Sequence, residues 1–425
     1  MDSRNVNKIK LIRALIMYTC LITVILGTLG CANKNSSDGE SINRVVLGGL
    51  FSMTGNWATL GQASRAAMEI AIEDVNAHFA GSSQRVEFSM VVKDTVLDPV
   101  LALQQLEDLH ALGVKFVIGP MSSAEVSEIK DFADKNGIVI ISQSSTAGTL
   151  SISGDNIFRF SPDDTQEGRA IATLMRTDGK KTVVPIWRDD AGNNGLQIAA
   201  RASFEAMGGK MRSGVKYGAQ TMDFSSYITT LSAQVREAIE ADGKQYVAVY
   251  LAAFDKVVKI FELAKDDPVL STVRWYGSDG VVFSEALLAN TEGSSEFAQS
   301  AVYPNPIFGL DASLENKWGP IAEKIAKRAG VQPNAFALAV YDAVWVVAKA
   351  YLAAKDPENV ESFKAAFVDE ANSFIGITGP TALNAFGDRE VANFDFWGVR
   401  KEGDKFLWKK VATYDGQSGT VMYVE

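Results

Sequence analysis

The chain has 425 residues, 47% of them apolar and 22% charged, with 41 basic and 51 acidic side chains and a formal net charge of −10. That balance fits a soluble globular protein of two or three domains and excludes a disordered chain, a collagen and a polytopic membrane protein, while the acidic surplus argues against nucleic acid as a partner. Two His (His78, His110) and two Cys (Cys20, Cys31) leave nothing for a His/Cys zinc site and little for a Ser–His or Cys–His pair, so no metal, no cofactor and no enzymatic activity are expected.

Residues 1–30 read as a targeting segment. Arg4, Lys8, Lys10 and Arg13 form a basic start, and an apolar run from Ala14 to Leu29 follows, short for a membrane span. Its end, Leu26-Gly-Thr-Leu-Gly-Cys31, resembles a bacterial lipoprotein signal, in which the Cys becomes the lipidated first residue; an uncleaved N-terminal anchor is the other reading. Residues 31–43 are polar and without periodicity, a flexible tether.

From Arg44 onward short apolar runs alternate with helical stretches. Val45–Leu50, Val86–Lys93, Lys115–Ile118 and Ile138–Ser142 are predicted strands; Gly61–His78, Pro99–Leu112 and Ser123–Asn136 are predicted helices between them. Ala63, Ala66, Ala67, Ile70 and Ala71 fall on one helix face, Pro99 opens its helix, and Gly137 ends the third. A second series runs through helices Thr165–Thr177, Asn194–Met207, Phe224–Ala241 and Phe254–Ala264 and strands Thr182–Trp187, Gln245–Leu251 and Val273–Gly277. After Pro304 the pattern turns mainly helical, over Leu314–Ala329, Ala335–Ala354 and Glu358–Asp369. Strands Val391–Val399 and Lys405–Val411 then form a hairpin. Two tandem α/β units imply a bilobed protein whose ligand sits beyond the carboxyl ends of the strands.

The post-strand loops are therefore the candidate site. Gly49–Gly61 contains neither G-x-G-x-x-G nor a P-loop, and its Trp57 either stacks on a ligand or plugs the core edge. Ser122 and Glu125 have capping-box spacing; the helix N-terminus they open is also a ready site for a carboxylate, to which Ser123 adds a hydroxyl. Ser142-Gln-Ser-Ser-Thr-Ala147 offers several hydroxyls, a composition shared with plain turns. Asp279, in Trp275-Tyr-Gly-Ser-Asp-Gly280, is either ordinary turn chemistry or a partner for a ligand cation.

Taken together, Leu47–Gly55, Ala71-Ile-Glu-Asp-Val-Asn76, Phe116-Val-Ile-Gly119, Ile138–Ser142 with Ser145-Thr-Ala147, Tyr276–Gly280, Tyr341-Asp-Ala343, Gly379-Pro380 and Gly387-Asp388 resemble the branched-chain amino acid-binding proteins, extracytoplasmic solute receptors of ABC importers. The resemblance spans about Arg44 to Val411. It implies a type I periplasmic-binding fold: two doubly wound α/β lobes joined by three hinge crossings, near Ser161-Pro162, Tyr303-Pro304 and Thr378–Thr381. Lobe 1 is then 44–161 and 305–380, and lobe 2 is 162–304 and 381–425. It further implies that Ser123, Ser144 with Ser145, and Thr146 receive a ligand carboxylate and Asp279 an α-ammonium. The family's aromatic lid positions fall at Leu60 (with Trp57 close by), at Gly192, and on or next to Phe254. With no aromatic at Gly192 the side-chain pocket should be open on one side, with Asn193 and Asn194 beside it, and the ligand should be larger or more polar than leucine, isoleucine or valine. The expected protein is a lipid-anchored monomer on the outer side of the membrane that hands an amino acid to an ABC permease. The alternative is a sensor of the same fold acting on a signalling partner.

Overall fold

The computed structural model describes residues 42–81, 85–390 and 393–424. The leader 1–30, Cys31 and nearly all of the tether 31–43 lie outside the described residues.

The first half builds one parallel sheet. β1 (Asn43–Phe51) leads to α1 (Ala58–Phe79), β2 (Val86–Asp94), α2 (Pro99–Ala111), β3 (Phe116–Ile118), α3 (Ser123–Asn136), β4 (Val139–Ser142) and β5 (Ile157–Arg159). The strand order is β2-β1-β3-β4-β5, with every pair parallel. β3 and β4 are buried along their whole length, as befits strands covered by helices on both faces. The helix boundaries follow from caps. Asp98 accepts from Leu101 N–H ahead of Pro99, and Ser122 and Glu125 make the capping box that opens α3. Each cap contributes about 1 kcal/mol. Gly61 lets α1 lie against the loop after β1, where a Cβ would stand 1.8 Å from the Ser52 carbonyl oxygen.

The second half repeats the plan. α4 (Asp164–Thr177), β6 (Thr182–Asp189), α5 (Ala191–Ala206), β7 (Lys210–Met211), β8 (Val215–Gly218), α6 (Ser225–Asp242), β9 (Val247–Ala252), α7 (Val257–Ala264) and β10 (Arg274–Tyr276) form a sheet ordered β10-β9-β6-β7, with β8 also on β6. Short helices α8 (Glu285–Leu288) and α9 (Ser294–Ser300) precede β11 (Asn305–Phe308). Then come α10 (Glu315–Ala329), α11 (Ala335–Ala353), α12 (Val360–Ser373), the two-residue strands β12 (Ile375–Gly376) and β13 (Gly379–Pro380), and β14 (Phe394–Glu402), β15 (Lys405–Asp415) and β16 (Thr420–Tyr423). α11 is long and apolar enough to cross a membrane, but 83% of its apolar window is buried inside the protein, which marks a core helix.

Several expectations need correction. α5 begins at Ala191 rather than Asn194, because the Asp190 carboxylate caps it by accepting from Asn193 N–H at 2.9 Å. The stretch after Pro304 opens on a strand, not a helix: β11 pairs antiparallel with β14 in a separate four-stranded sheet, β11-β14-β15-β16. Its Pro306 is tolerated because β11 is an edge. Residues 387–389, expected in lobe 2, pair with β5. Arg159 N–H donates to the Gly387 carbonyl at 2.9 Å and Arg389 N–H to the Arg159 carbonyl at 3.0 Å, so 387–389 still run beside β5 in the first sheet. The Arg159–Asp388 ion pair (2.5 Å, both side chains within 2% of full burial) locks that placement. The β12–β13 hairpin is clamped by Asp342 of α11, which accepts from Ile377 and Thr378 N–H, and by Arg389, which donates to the Thr378 carbonyl.

Candidate functional site

The strand ends of both sheets converge on one small cavity of about 20 Å³. Its walls are Trp57, Ser122, Ser123, Ser144, Thr146, Asp190, Gly192, Asn193, Leu196, Phe254 and Asp279. A space that size holds about one water. The chain's larger cavities are elsewhere; one of about 650 Å³ lies among α10, the start of α11 and the β11–β14 sheet.

One wall comes from the first sheet. The Ser123 hydroxyl, at the start of α3, accepts from Thr146 N–H (3.2 Å), Ala147 N–H (3.1 Å) and the Ser145 hydroxyl (3.0 Å). Ser144 donates to the Met121 carbonyl at 2.8 Å and Ser142 to the Pro120 carbonyl at 2.6 Å. Arg159 completes the loop by donating to the Ala147 carbonyl at 2.6 Å. Behind α3, burial pushes the Glu125 carboxyl up, against two hydrogen bonds from Ser122 that hold it down.

The other wall comes from the second half. The first turn of α5 faces Ser123 directly: a Cβ on Gly192 would lie 3.6 Å from the Ser123 hydroxyl. Phe254 packs on Trp57 with ring centroids 4.7 Å apart, and the Arg188 guanidinium lies over the Phe254 ring at 5.2 Å. Trp57 N–H donates to Asp255 across the cleft at 2.8 Å, and Ser284 donates to the same carboxylate at 2.6 Å; burial nonetheless raises the Asp255 pKa. Asp279 is 4% exposed, and burial raises its pKa to about 7. Glu167 and Asp164, on the first turn of α4, are pushed well above the carboxylate range by burial and, secondarily, by neighbouring charge, that of Asp279 on both and that of Asp164 on Glu167.

Seven of the nine expected ligand contacts line the cavity: Trp57, Ser123, Ser144, Thr146, Gly192, Phe254 and Asp279. Leu60 does not; it is 3% exposed in the core under α1, because it sits on the helix face turned to the sheet. Ser145 is fully buried behind Ser123 and reaches the cavity only through that hydroxyl. At the expected open side, Gly192 lines the cavity together with Asn193 and Leu196 of the same helix. Sequence reasoning missed Asp190 and Leu196 as walls, and Glu167 and Asp164 as buried acids beside Asp279. The usable signal was Asp163-Asp164-Thr-Gln-Glu167, in which Asp164 and Glu167 stand one helical turn apart at the start of α4.

Residues 44–402 match the periplasmic binding protein family. The chain belongs to that family. It is 28% identical over 413 residues to an uncharacterized protein of Methanocaldococcus jannaschii, covering 92% of this chain and 95% of that one. It is 26% identical over 365 residues to the leucine-, isoleucine-, valine-, threonine- and alanine-binding protein of Pseudomonas aeruginosa, covering 85% and 89%. Among solved structures it resembles the branched-chain amino acid transporter substrate binding protein LivJ of Streptococcus pneumoniae, in complex with isoleucine, at a TM-score of 0.67 and 22% identity over 87% of this chain and 99% of that one. The type I periplasmic-binding fold is thereby established.

Proposed function

We propose that this periplasmic binding protein is an extracytoplasmic solute receptor that closes its two lobes over an amino acid and delivers it to an ABC importer. The observation that carries the reading is the cleft itself. A wall made of the Ser123 hydroxyl and the backbone N–H donors of the loop after β4 faces a buried acid, Asp279, and the two suit the opposite ends of a zwitterion. The hydrogen bonds now spent on the Ser123 oxygen are those a ligand carboxylate takes over when it enters. The 20 Å³ cavity requires that entry proceed through an open form, with the lobes parting across the Trp57–Phe254 contact. Anchoring through a lipidated Cys31 belongs to the same reading, and palmitate incorporation that disappears in Cys31→Ser is its check.

The test is differential scanning fluorimetry against the twenty amino acids and related small solutes. A true ligand at a hundredfold excess over Kd stabilises the fold by about 2.7 kcal/mol. If no amino acid raises the melting temperature, the reading fails.

A further inference from the structure

The cation side of the cleft holds more acid than a single ammonium needs. Asp164, Glu167 and Asp279 are 2%, 2% and 4% exposed and lie within one another's electrostatic reach. Glu167 stands directly behind Asp279, accepting from its backbone N–H at 3.3 Å, and the two carboxyl groups also share a hydrogen bond. Other groups face this nook. At the N-cap of α4 there is Asp163. On β9 there is Tyr250, fully buried, whose hydroxyl faces Glu167, Asp279 and Asp164 and has no hydrogen-bond partner among the described residues. Tyr303, also buried and unpartnered, lies beyond Tyr250. Among the described residues the cation nearby, Arg159, is already committed to Asp388 and to loop carbonyls. Neither oxygen of Asp164 has a hydrogen bond of good geometry, and the adjacent Thr146 hydroxyl offsets its burial only in part.

Buried carboxylates without a counter-ion are held neutral by protons. Two carboxyls side by side, with a phenol beside them and no cation, hold a proton between them until a positive charge arrives. We propose that Glu167 is the second acidic side chain of the cation subsite: it backs Asp279, which faces the cleft and grips the protonated nitrogen of the ligand, and the proton the pair held passes to solvent as the ligand enters. The nitrogen stays protonated, so the two carboxylates carry two negative charges against one positive. This makes Glu167 a specificity residue that selects amines over neutral and anionic solutes of the same shape. It rests on the proposed amino-acid reading only in requiring a cationic nitrogen.

The experiment is calorimetric titration near neutral pH in buffers of differing ionisation enthalpy. The probes are the twenty amino acids, butylamine, 1,4-diaminobutane and, as the nitrogen-free control, butyrate. The expected result is release of up to about one proton per bound amine and an affinity that falls by up to about tenfold for each pH unit below neutrality and levels off above it. In Glu167→Gln both the release and the pH dependence should vanish. Amine binding by the wild type without proton release overturns the proposal, and so does a Glu167→Gln variant that still releases the proton. If amines bind but no amino acid does, the amino-acid reading fails and this one stands. Binding of butyrate alone overturns both. Should nothing on the panel bind, infrared spectroscopy of the ligand-free protein decides. A component of the protonated carboxyl stretch that persists at neutral pH in the wild type and in Asp164→Asn but is lost in Glu167→Gln supports the pair, and an unchanged stretch in Glu167→Gln overturns it.

Discussion

The two walls of the cleft obey opposite rules. On the α3 side the serines and the arginine that shape the wall all have partners: Ser123 takes three donors, Ser142 and Ser144 each find a carbonyl, and Arg159 ties the loop to Asp388, leaving one oxygen each of Glu125 and Gln143 unpartnered behind it. On the α4 and Asp279 side the polar groups are buried and left over: both oxygens of Asp164 and the hydroxyl of Tyr250. A satisfied network fixes a shape before ligand arrives. An unsatisfied one costs stability and is retained where another molecule completes it. The comparison assigns the first wall to geometry and the second to charge.

The largest effect should come from breaking the satisfied wall at its root. Asp388→Ala strips Arg159 of its carboxylate and leaves a buried guanidinium, which costs about 3–5 kcal/mol. Chemical denaturation should show that loss, and a variant as stable as the wild type would mean the wall does not depend on this pair. On the other wall the loss should fall on binding. Asp279→Ala should weaken an amine-bearing ligand by about 2–5 kcal/mol, tens-fold or more, in a calorimetric titration, with stability unchanged or improved.

Next is a gain rather than a loss. Asp164 keeps its proton in the fold and gives it up in the unfolded chain near the ordinary carboxylate pKa, so its burial destabilises the protein progressively as pH rises above that value. Asp164→Asn should therefore be more stable than the wild type by about 1–3 kcal/mol at neutral pH, with the advantage shrinking as pH falls toward about 4. A melting-temperature series against pH checks the slope, and parallel curves for the two proteins would contradict it. The smallest effect is at the cap. Ser122→Ala removes the hydroxyl that donates to Glu125 and accepts its N–H, and should cost about 0.5–2 kcal/mol in thermal unfolding.

Legibility in the sequence divides along the same line. α3 was readable to the residue, Ser123 to Asn136, because its start is set by Ser122 and Glu125 and its stop by Gly137 in a left-handed conformation. These are contacts within four residues of one another. The serine-rich loop and Asp279 could be singled out because each follows a buried apolar run, and strand ends converge in this architecture. Leu60 was misplaced because its alignment with an aromatic lid says nothing about which side of α1 it occupies. The two-residue strands β7, β12 and β13, and β11 with its proline, escaped because so few residues carry no periodicity of their own; their pairing partners hold them extended.

The sequence by itself determined the alternation of strands and helices, the capped helix starts, the polar loops that follow the strands, and the resemblance from Arg44 to Val411. Only the tertiary structure decided that Arg159 is spent on Asp388, 229 residues away. It also decided that Glu167, on an amphipathic helix otherwise indistinguishable from its neighbours, lies behind Asp279. A carboxylate on a helix reads as solvated until something buries it, and burial depends on what packs against it from far along the chain. The same side chain is a surface charge or a proton-holding acid according to that packing alone.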